Sequence, residues 1–252
     1  MTSHVPNKLT GDSPDSTSAF TLIELLTVIA IIGILAAIII PTVGKVRESG
    51  RAAHCTSNMR QISTALLLYA SENKQQIMPV RNPTIGTYGV GSWCWELWAH
   101  MGYPPDARTR QNVFTSREGS TNKNVFICPT TFVTKLSTPM FTSNASKTPN
   151  PNLISYGLNP VKNGDAASGG IGTAALSTPL SLSSVTTPSR TVILVESSFY
   201  YGDDYNYRSE FGLLPHSGKA NFAYFDGHVQ RLAKPDCPDQ GTRAGKIFWY
   251  GQ

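Results

Sequence analysis

The sequence predicts an α+β fold in which one long N-terminal helix packs on a small antiparallel β-sheet with long loops. Three observations indicate it. Residues 20–40 form one apolar run, residues 43–69 repeat apolar side chains at helical spacing, and Asp226-Gly227 separates two short strand-like runs near the C-terminus. A helical period followed by a hairpin signal favours a helix packed against antiparallel strands.

The apolar run, FTLIELLTVIAIIGILAAIII, contains a single ionisable side chain, Glu24. As a helix, its 21 residues reach about 31 Å, which is enough to cross a bilayer core of about 30 Å. Its apolar side chains favour insertion by about 4 to 8 kcal/mol, which exceeds the roughly 2.5 to 3.5 kcal/mol that a mid-membrane charge costs. The run is longer than the apolar core of a secretory signal peptide. Residues 20–40 are therefore predicted to span a membrane, and the Glu24 carboxylate is expected to have a partner or a function.

The helical pattern continues beyond the run, which predicts an amphipathic extension over residues 41–75. Pro41 lacks a backbone N–H and predicts a bend there. Asn73-Lys74, with Pro79 shortly after, predicts the end of the helix. Residues 76–252 are then expected to form a C-terminal globular domain. The predicted apolar positions of the extension are Val43, Val46, Ala53, Met59, Ile62, Ala65, Leu66 and Tyr69.

The strand-like runs at 220–225 and 228–232 predict a β-hairpin closed by a two-residue turn at Asp226-Gly227. On that register Phe225 opposes His228. Further strands are predicted at 124–127, 191–196 and 246–250, for a sheet of about four strands. Long surface loops are expected in the Ser/Thr/Pro-rich stretches 137–151 and 173–190 and in the Gly-rich stretch 164–172. The hairpin face expected to lie against the helix carries Ala220, Phe222, Tyr224, Val229 and Ala233, interrupted by Arg231.

The net charge and the cysteine spacing argue against two kinds of site, a nucleic-acid site and a zinc or redox motif. The formal net charge is +5 and the pI about 9.0, without a dense basic run, which favours a surface of mixed charge over a nucleic-acid site. No C-x-x-C spacing occurs among the four cysteines, so a zinc knuckle or a thioredoxin-like motif is not expected. Export would permit disulfides, with three connectivities open, and buried thiols are the alternative. The cysteines are Cys55, Cys94, Cys128 and Cys237.

His216 and Asp226 suggest a catalytic dyad or a metal site, to which Glu196, Asp203, Asp204 and His228 could contribute. An extended strand between them separates its ends by about 20 Å, so a structural role for His216 is favoured over metal binding and catalysis. The turn accounts for Asp226 and Gly227.

Two further clusters have both a functional and a structural interpretation. Asp203-Asp204 suggests calcium, but a solvated acidic loop is favoured because the spacing is not that of an EF-hand. The aromatic residues between 93 and 103 suggest carbohydrate stacking, but packing beside the helix is favoured. No resident metal or cofactor is expected, and no enzymatic motif is present in the sequence.

The segment from Ala19-Phe20-Thr21-Leu22-Ile23-Glu24 to Pro41 resembles the prepilin N-terminal cleavage and methylation motif of type IV pilins and type II secretion pseudopilins. The resemblance implies that residues 1–19 are a leader. It implies cleavage by prepilin peptidase between Ala19 and Phe20, methylation of the new amino terminus, and pairing of Glu24 with the terminal amine of a neighbouring subunit. Ala19 stands where that family usually has Gly, which predicts slower cleavage.

Residues 51–62, together with His216, nine residues and then Asp226-Gly227, resemble a large bacterial group of pilin-like proteins described by an H-x9-DG motif. The resemblance implies a pilin-like fold and a non-enzymatic subunit of a type IV pilus or type II secretion-type filament. The implied partners are prepilin peptidase, other pilin-like subunits, an assembly platform and, before assembly, membrane lipid.

The same resemblance implies a single-pass protein of the cytoplasmic membrane with its C-terminal domain outside the cytoplasm, and a possible place in a cell-surface filament. Counting basic residues on the two sides of the span gives the opposite orientation, because Lys45, Arg47, Arg51 and Arg60 follow it and only Lys8 precedes it. The family topology is preferred. The alternative function is a membrane-tethered surface protein that recognises DNA or a polysaccharide, and an extracytoplasmic enzyme ranks third.

Overall fold

A 51-residue helix, α1 (Leu22–Glu72), dominates the N-terminal part of the chain. At 1.5 Å per residue it is about 76 Å long. The computed structural model describes residues 21–80, 93–103, 125–130, 155–159, 178–197, 214–239 and 241–251. Pro41 lies within α1, and Gly44 and Gly50 do not interrupt it. The predicted long helix is confirmed.

The chain divides into two units, Met1–Val46 and Arg47–Gln252, so α1 contributes to both. In the second unit α1 buries one stripe at steps of three and four residues, as expected for a helix with one face in a core. Of the predicted stripe, Met59, Ile62 and Leu66 are buried, whereas Ala53 is exposed. The buried residues of α1 are Ala52, Cys55, Asn58, Met59, Ile62, Ser63, Leu66 and Ala70.

The strands form two antiparallel sheets, which together with α1 confirm the predicted α+β class. The α-helices and strands after α1 are β1 (Gln76–Ile77), α2 (Trp93–His100), β2 (Tyr156–Leu158), β3 (Leu180–Ser181), β4 (Val192–Glu196), β5 (Lys219–Tyr224), β6 (Val229–Ala233) and α3 (Arg243–Tyr250). The smaller sheet pairs β1 with β3, and the larger has the order β2-β4-β5-β6.

Two of the three additional strand predictions are wrong. Residues 125–127 form a turn and bend, and the strand that pairs with β4 at one edge of the larger sheet is β2. Residues 246–250 belong to α3, because the Thr242 hydroxyl accepts a hydrogen bond from the Gly245 N–H and caps the N-terminus of a helix. Gly251 ends that helix at a φ of +72°, a left-handed conformation that favours glycine. The strand predicted at 191–196 is confirmed by β4.

The predicted β-hairpin is present, but its register differs by one residue. Ala223 opposes Val229, so Tyr224 rather than Phe225 lies opposite His228. The turn therefore has three residues and not two, with Gly227 at a φ of +89° in the position where such turns need a left-handed residue. Phe225 leaves the strand pairing because its side chain is buried and its N–H donates to the carbonyl of Thr191.

The four-stranded sheet has a hydrophobic cluster on each face. Ala220, Phe222 and Tyr224 share a face as predicted, but they pack with Phe248 and Trp249 of α3 and not with α1. The opposite face of the sheet, which packs on α1 and which we call the α1 side, carries Ala223 and Phe225, with Val229 partly buried against this cluster. The prediction chose the wrong helix for the first face because it assigned α3 as a strand.

A β-bulge in β4 helps to fill the α1 side. The register between β4 and β5 shifts between Val192 and Leu194. As a result Ile193 and Leu194 both belong to the cluster that packs on α1, although side chains normally alternate between faces. Trp93 and Leu97 of α2 are buried in the same cluster, which supports the packing interpretation of the aromatic segment.

Two leucines of α1 offer a matched test of this packing. Leu66 is fully buried, whereas Leu68 is 53% exposed on the same helix. We expect Leu66→Ala to reduce the free energy of unfolding by about 2–5 kcal/mol because it leaves a cavity. We expect Leu68→Ala to change it by less than about 0.5 kcal/mol. Denaturant unfolding of the full chain in detergent, followed by tryptophan fluorescence, measures both, and equal effects would contradict the described packing.

Candidate assembly helix and buried cysteine and histidine cluster

The first half of α1 presents an apolar surface without a covering layer among the described residues. Its large apolar side chains from Leu22 to Val43 are 40–80% exposed. An 18-residue window of α1 has a mean hydropathy of 2.9, and none of it is buried. By length and composition α1 can therefore cross a membrane.

Glu24 and Thr21 form a capping box at the start of α1. Oε2 of Glu24 accepts hydrogen bonds from the Thr21 N–H at 2.9 Å and from the Thr21 hydroxyl at 2.8 Å. The Thr21 hydroxyl in turn accepts from the N–H of Glu24 at 3.3 Å. These bonds occupy backbone donors that a helix N-terminus otherwise leaves unpaired. Glu24 is thus hydrogen-bonded within its own chain.

The sequence contains the signal for this capping box, namely Thr21 followed three residues later by Glu24 at the start of an apolar run. The sequence analysis above predicts a partner for the Glu24 carboxylate but does not identify Thr21 as one. Ala19 and Phe20, the predicted cleavage residues, lie outside the described residues.

Four buried side chains meet where α1 approaches the four-stranded sheet. Cys55 comes from α1, Cys128 from the segment 125–130, Glu196 from the end of β4, and His216 from the turn before β5. Their ligand atoms all lie within 4.8 Å of one another. Cys55 and Cys128 form a disulfide. We call these four residues the buried cluster.

The disulfide of the buried cluster is one pair of one of the three connectivities that the sequence left open, but the second pair of that connectivity, Cys94 with Cys237, is not joined. It joins Cys55 to Cys128 across 73 residues, with the two Cα atoms 5.2 Å apart. Cys94 and Cys237 are buried and lie outside this disulfide. The disulfide therefore fixes the segment 125–130 to α1.

Glu196 is a fully buried carboxylate that accepts several hydrogen bonds. Its Oε2 accepts from the Asn221 N–H at 2.7 Å, and its Oε1 accepts from the Asn221 side-chain amide at 3.1 Å. Nε2 of His216 lies 2.9 Å from Oε1. A buried carboxylate is costly without such partners. Sequence reasoning named Glu196 as a possible companion of His216, and the structure brings the two together.

The two ring nitrogens of His216 face different groups. Nε2 points to Glu196 and lies 3.6 Å from Sγ of Cys128. Nδ1 lies 3.4 Å from the Thr130 hydroxyl and 3.4 Å from Oε1 of Glu48 on α1. The imidazole is therefore held in one orientation by contacts at both nitrogens.

Asp226 does not join this cluster. It lies at the opposite end of β5, where its Oδ1 accepts from the N–H of His228 at 3.1 Å and contacts the His228 ring. The ring of His228 stacks on Tyr224 with the centroids 4.1 Å apart. A dyad of His216 and Asp226, which the sequence analysis disfavoured, is thus not formed. Asp203 and Asp204, the candidate calcium ligands, lie outside the described residues.

Burial shapes the electrostatics of two tyrosines near these sites. Tyr156 opposes Glu196 in the pairing of β2 with β4, and burial and the Glu196 charge hold the pKa of its phenol well above the usual value. Burial, with contributions from Cys237 and Asp226, raises the pKa of Tyr224 to about 12. Both phenols therefore stay neutral at physiological pH.

Comparison with known proteins relates the N-terminal segment of the chain to a family model. Residues 16–40 match the family model for the prokaryotic N-terminal methylation motif, a motif of structural subunits, and this match supports a relation to type IV pilin-like proteins. No curated protein and no solved structure matches the chain.

The disulfide predicts a measurable loss of stability on reduction. Because it closes a loop of 73 residues, reduction in the presence of a metal chelator should lower the free energy of unfolding by about 2–4 kcal/mol. The measurement is denaturant unfolding of the full chain in detergent, with and without reductant. The double variant Cys94→Ser/Cys237→Ser is the control and should lose the same amount. A peptide map in which Cys55 and Cys128 are not linked would contradict the assignment.

Proposed function

We propose that this chain is a prepilin-type subunit, cleaved between Ala19 and Phe20 by prepilin peptidase, methylated on Phe20, and assembled through α1 into a type IV pilus or a type II secretion-type filament. The match of residues 16–40 to the N-terminal methylation motif carries the proposal. The chain then acts as a structural component and not as an enzyme.

The exposed apolar surface of α1 supports this function. Side chains such as Leu22 and Ile40 are 80% and 72% exposed. Burying such surface away from water is favourable by roughly 25 cal/mol per Å². Lipid can cover it in a single subunit, and the helices of neighbouring subunits can cover it in a filament. The second unit, by contrast, has its own core and remains free to carry surface loops.

The geometry of Glu24 supports a role in assembly. Both hydrogen bonds that its carboxylate accepts from Thr21 go to Oε2, so we infer that Oε1 is the atom that the amine of a neighbouring subunit would contact. Cleavage before Phe20 leaves Thr21 and Glu24 in place, so the capping box can persist in the mature subunit. Pro41 remains the proposed position of a bend in α1. Before assembly, the proposed location is the cytoplasmic membrane, with residues beyond the span outside the cytoplasm.

Mass spectrometry of the mature N-terminus tests the processing step. In a host that contains prepilin peptidase, we expect the chain to lack residues 1–19 and to carry a methyl group on Phe20. Because Ala19 replaces the usual Gly, Ala19→Gly should raise the processed fraction at a fixed time, whereas Ser18→Gly should not. A chain that keeps residues 1–19 under these conditions would contradict the proposed processing and would indicate a protein that is only anchored in the membrane.

A charge-specific substitution tests the assembly step. Glu24→Gln removes the negative charge but keeps a residue that can complete the capping box. We expect normal membrane insertion and at least about tenfold less filament incorporation, because a hydrogen bond to a charged group contributes about 1.5–3 kcal/mol. Quantitative immunoblotting of membrane and sheared-filament fractions measures both.

The matched control for this experiment is Glu72→Gln, which removes a carboxylate from the same helix outside the apolar run. It should leave incorporation unchanged. Wild-type incorporation of Glu24→Gln would show that the charge has no part in assembly.

A further inference from the structure

We propose that the buried cluster is a zinc site in the thiol form of this protein. Cys55, Cys128, Glu196 and His216 would bind one Zn²⁺ when the two cysteines are reduced, and the disulfide is the metal-free form of the same site. The inference does not depend on whether the chain forms a filament, because all four residues belong to the second unit.

The distances between ligand atoms suit a tetrahedral ion. Bonds of about 2.3 Å to sulfur and 2.0–2.1 Å to nitrogen or oxygen place the ligand atoms of a tetrahedral zinc site roughly 3.3–3.8 Å apart. Here Nε2 of His216 is 3.6 Å from Sγ of Cys128, which is within that range, and 2.9 Å from Oε1 of Glu196, a hydrogen-bond distance that has to lengthen slightly when an ion enters. The four ligand atoms lie within 4.8 Å of one another. Once the bond between the sulfurs is broken, small movements of side chains are sufficient to surround an ion.

The chemistry of the ligands selects zinc over calcium or magnesium. Two thiolates, an imidazole and a carboxylate are ligands that zinc accepts, whereas calcium and magnesium require oxygen atoms. All four residues are buried, and four protein ligands complete a tetrahedral shell. Such a closed site is typical of structural zinc.

The atoms around the ligands are arranged as zinc sites require. A histidine that binds zinc through one nitrogen places its other nitrogen against a carboxylate, a carbonyl or another polar group. Nδ1 of His216 faces the Glu48 carboxylate and the Thr130 hydroxyl, and Oε2 of Glu196 accepts from the Asn221 N–H. These contacts fix the His216 ring and the Glu196 carboxylate in the buried cluster, with Nε2 of His216 3.6 Å from Sγ of Cys128.

Zinc would join the same parts of the fold as the disulfide and would add the sheet to them. The disulfide links α1 to the segment 125–130. Zinc would also bind the end of β4 through Glu196 and the turn before β5 through His216. The fold could therefore be held together before the cysteines are oxidised as well as afterwards.

The change between the two forms requires a two-electron reductant. A phosphine supplies it in the test tube: the disulfide gains two electrons and two protons to become two thiols, while the phosphine takes oxygen from water and becomes a phosphine oxide. Zinc then displaces the two thiol protons, which are released to the solvent.

The first test compares the two redox forms of the wild-type full chain in detergent, so that it requires no substitution. The chain is reduced with a phosphine without oxygen, mixed with zinc chloride, desalted and analysed for metal. We expect one zinc per reduced chain and none per oxidised chain. With cobalt chloride, the reduced chain should give intense visible bands and thiolate-to-cobalt charge transfer, which indicate a tetrahedral thiolate site.

Substitutions then assign the ligands. His216→Ala and Glu196→Ala should weaken zinc binding by more than the roughly 10- to 100-fold expected for Glu48→Gln, which removes a partner of a ligand. The double variant Cys94→Ser/Cys237→Ser is the control and should bind zinc as the wild type does. Circular dichroism distinguishes loss of a ligand from loss of the fold. If the reduced chain unfolds without metal, refolding on addition of zinc supports the site.

Three results would overturn the proposal. The first is a reduced wild-type chain that binds no zinc. The second is equal binding by the oxidised and reduced forms. The third is a His216→Ala chain that remains folded and keeps both the affinity and the cobalt spectrum of the wild type.

Discussion

The buried stripe on the second half of α1 is the surface on which the rest of the second unit is built. The cluster that packs on it takes residues from α2, the segment 125–130, β2, β4 and the hairpin of β5 and β6. None of these pieces is large enough to form a core alone, because the strands have two to six residues and α2 has eight. The helix provides one continuous apolar face, and the short elements become stable by covering it. The large apolar side chains of the first half of α1 lie outside this core and are exposed in the single chain, so under the proposed function lipid or other subunits would cover them.

Burial of Glu196 sets a second constraint, because a fully buried carboxylate is costly unless hydrogen-bond partners surround its oxygen atoms. Asn221 of β5 and His216 provide the compensation, and both positions are set by the register of β5 against β4. This explains the spacing of the motif that runs from His216 to Asp226-Gly227. His216 lies in the turn before β5 beside Glu196, and Asp226-Gly227 lies in the turn after it. The nine intervening residues therefore correspond to the length of one strand with its connections.

Much of this arrangement could be predicted from the sequence, because long elements with strong periodicity leave a clear pattern. The length of α1, the apolar run, β4 and the hairpin were all predictable on that basis. Residues 246–250 were not, since Phe248, Trp249 and Tyr250 look like a strand when the Thr242 cap and the Gly251 stop are overlooked. The one-residue error in the hairpin arose at Phe225, whose N–H donates to the Thr191 carbonyl beside β4 and not to β6. The disulfide and the buried cluster bring together residues from 55 to 216, and no local pattern reports a contact over such a separation.

Under the proposed function, the capping box links the role of Glu24 in the membrane to its role in assembly. Hydrogen bonds from Thr21 already satisfy part of the carboxylate in a single subunit, so the cost of placing it near the membrane surface is lower than for an isolated charge. A neighbour's amine would therefore not rescue an unpaired group; it would add a charge to an acceptor that is already oriented. An oriented acceptor loses little conformational freedom when its partner arrives. If the chain assembles as proposed, the local cap would both orient Glu24 for its partner and lower the cost of keeping the carboxylate in the membrane before assembly.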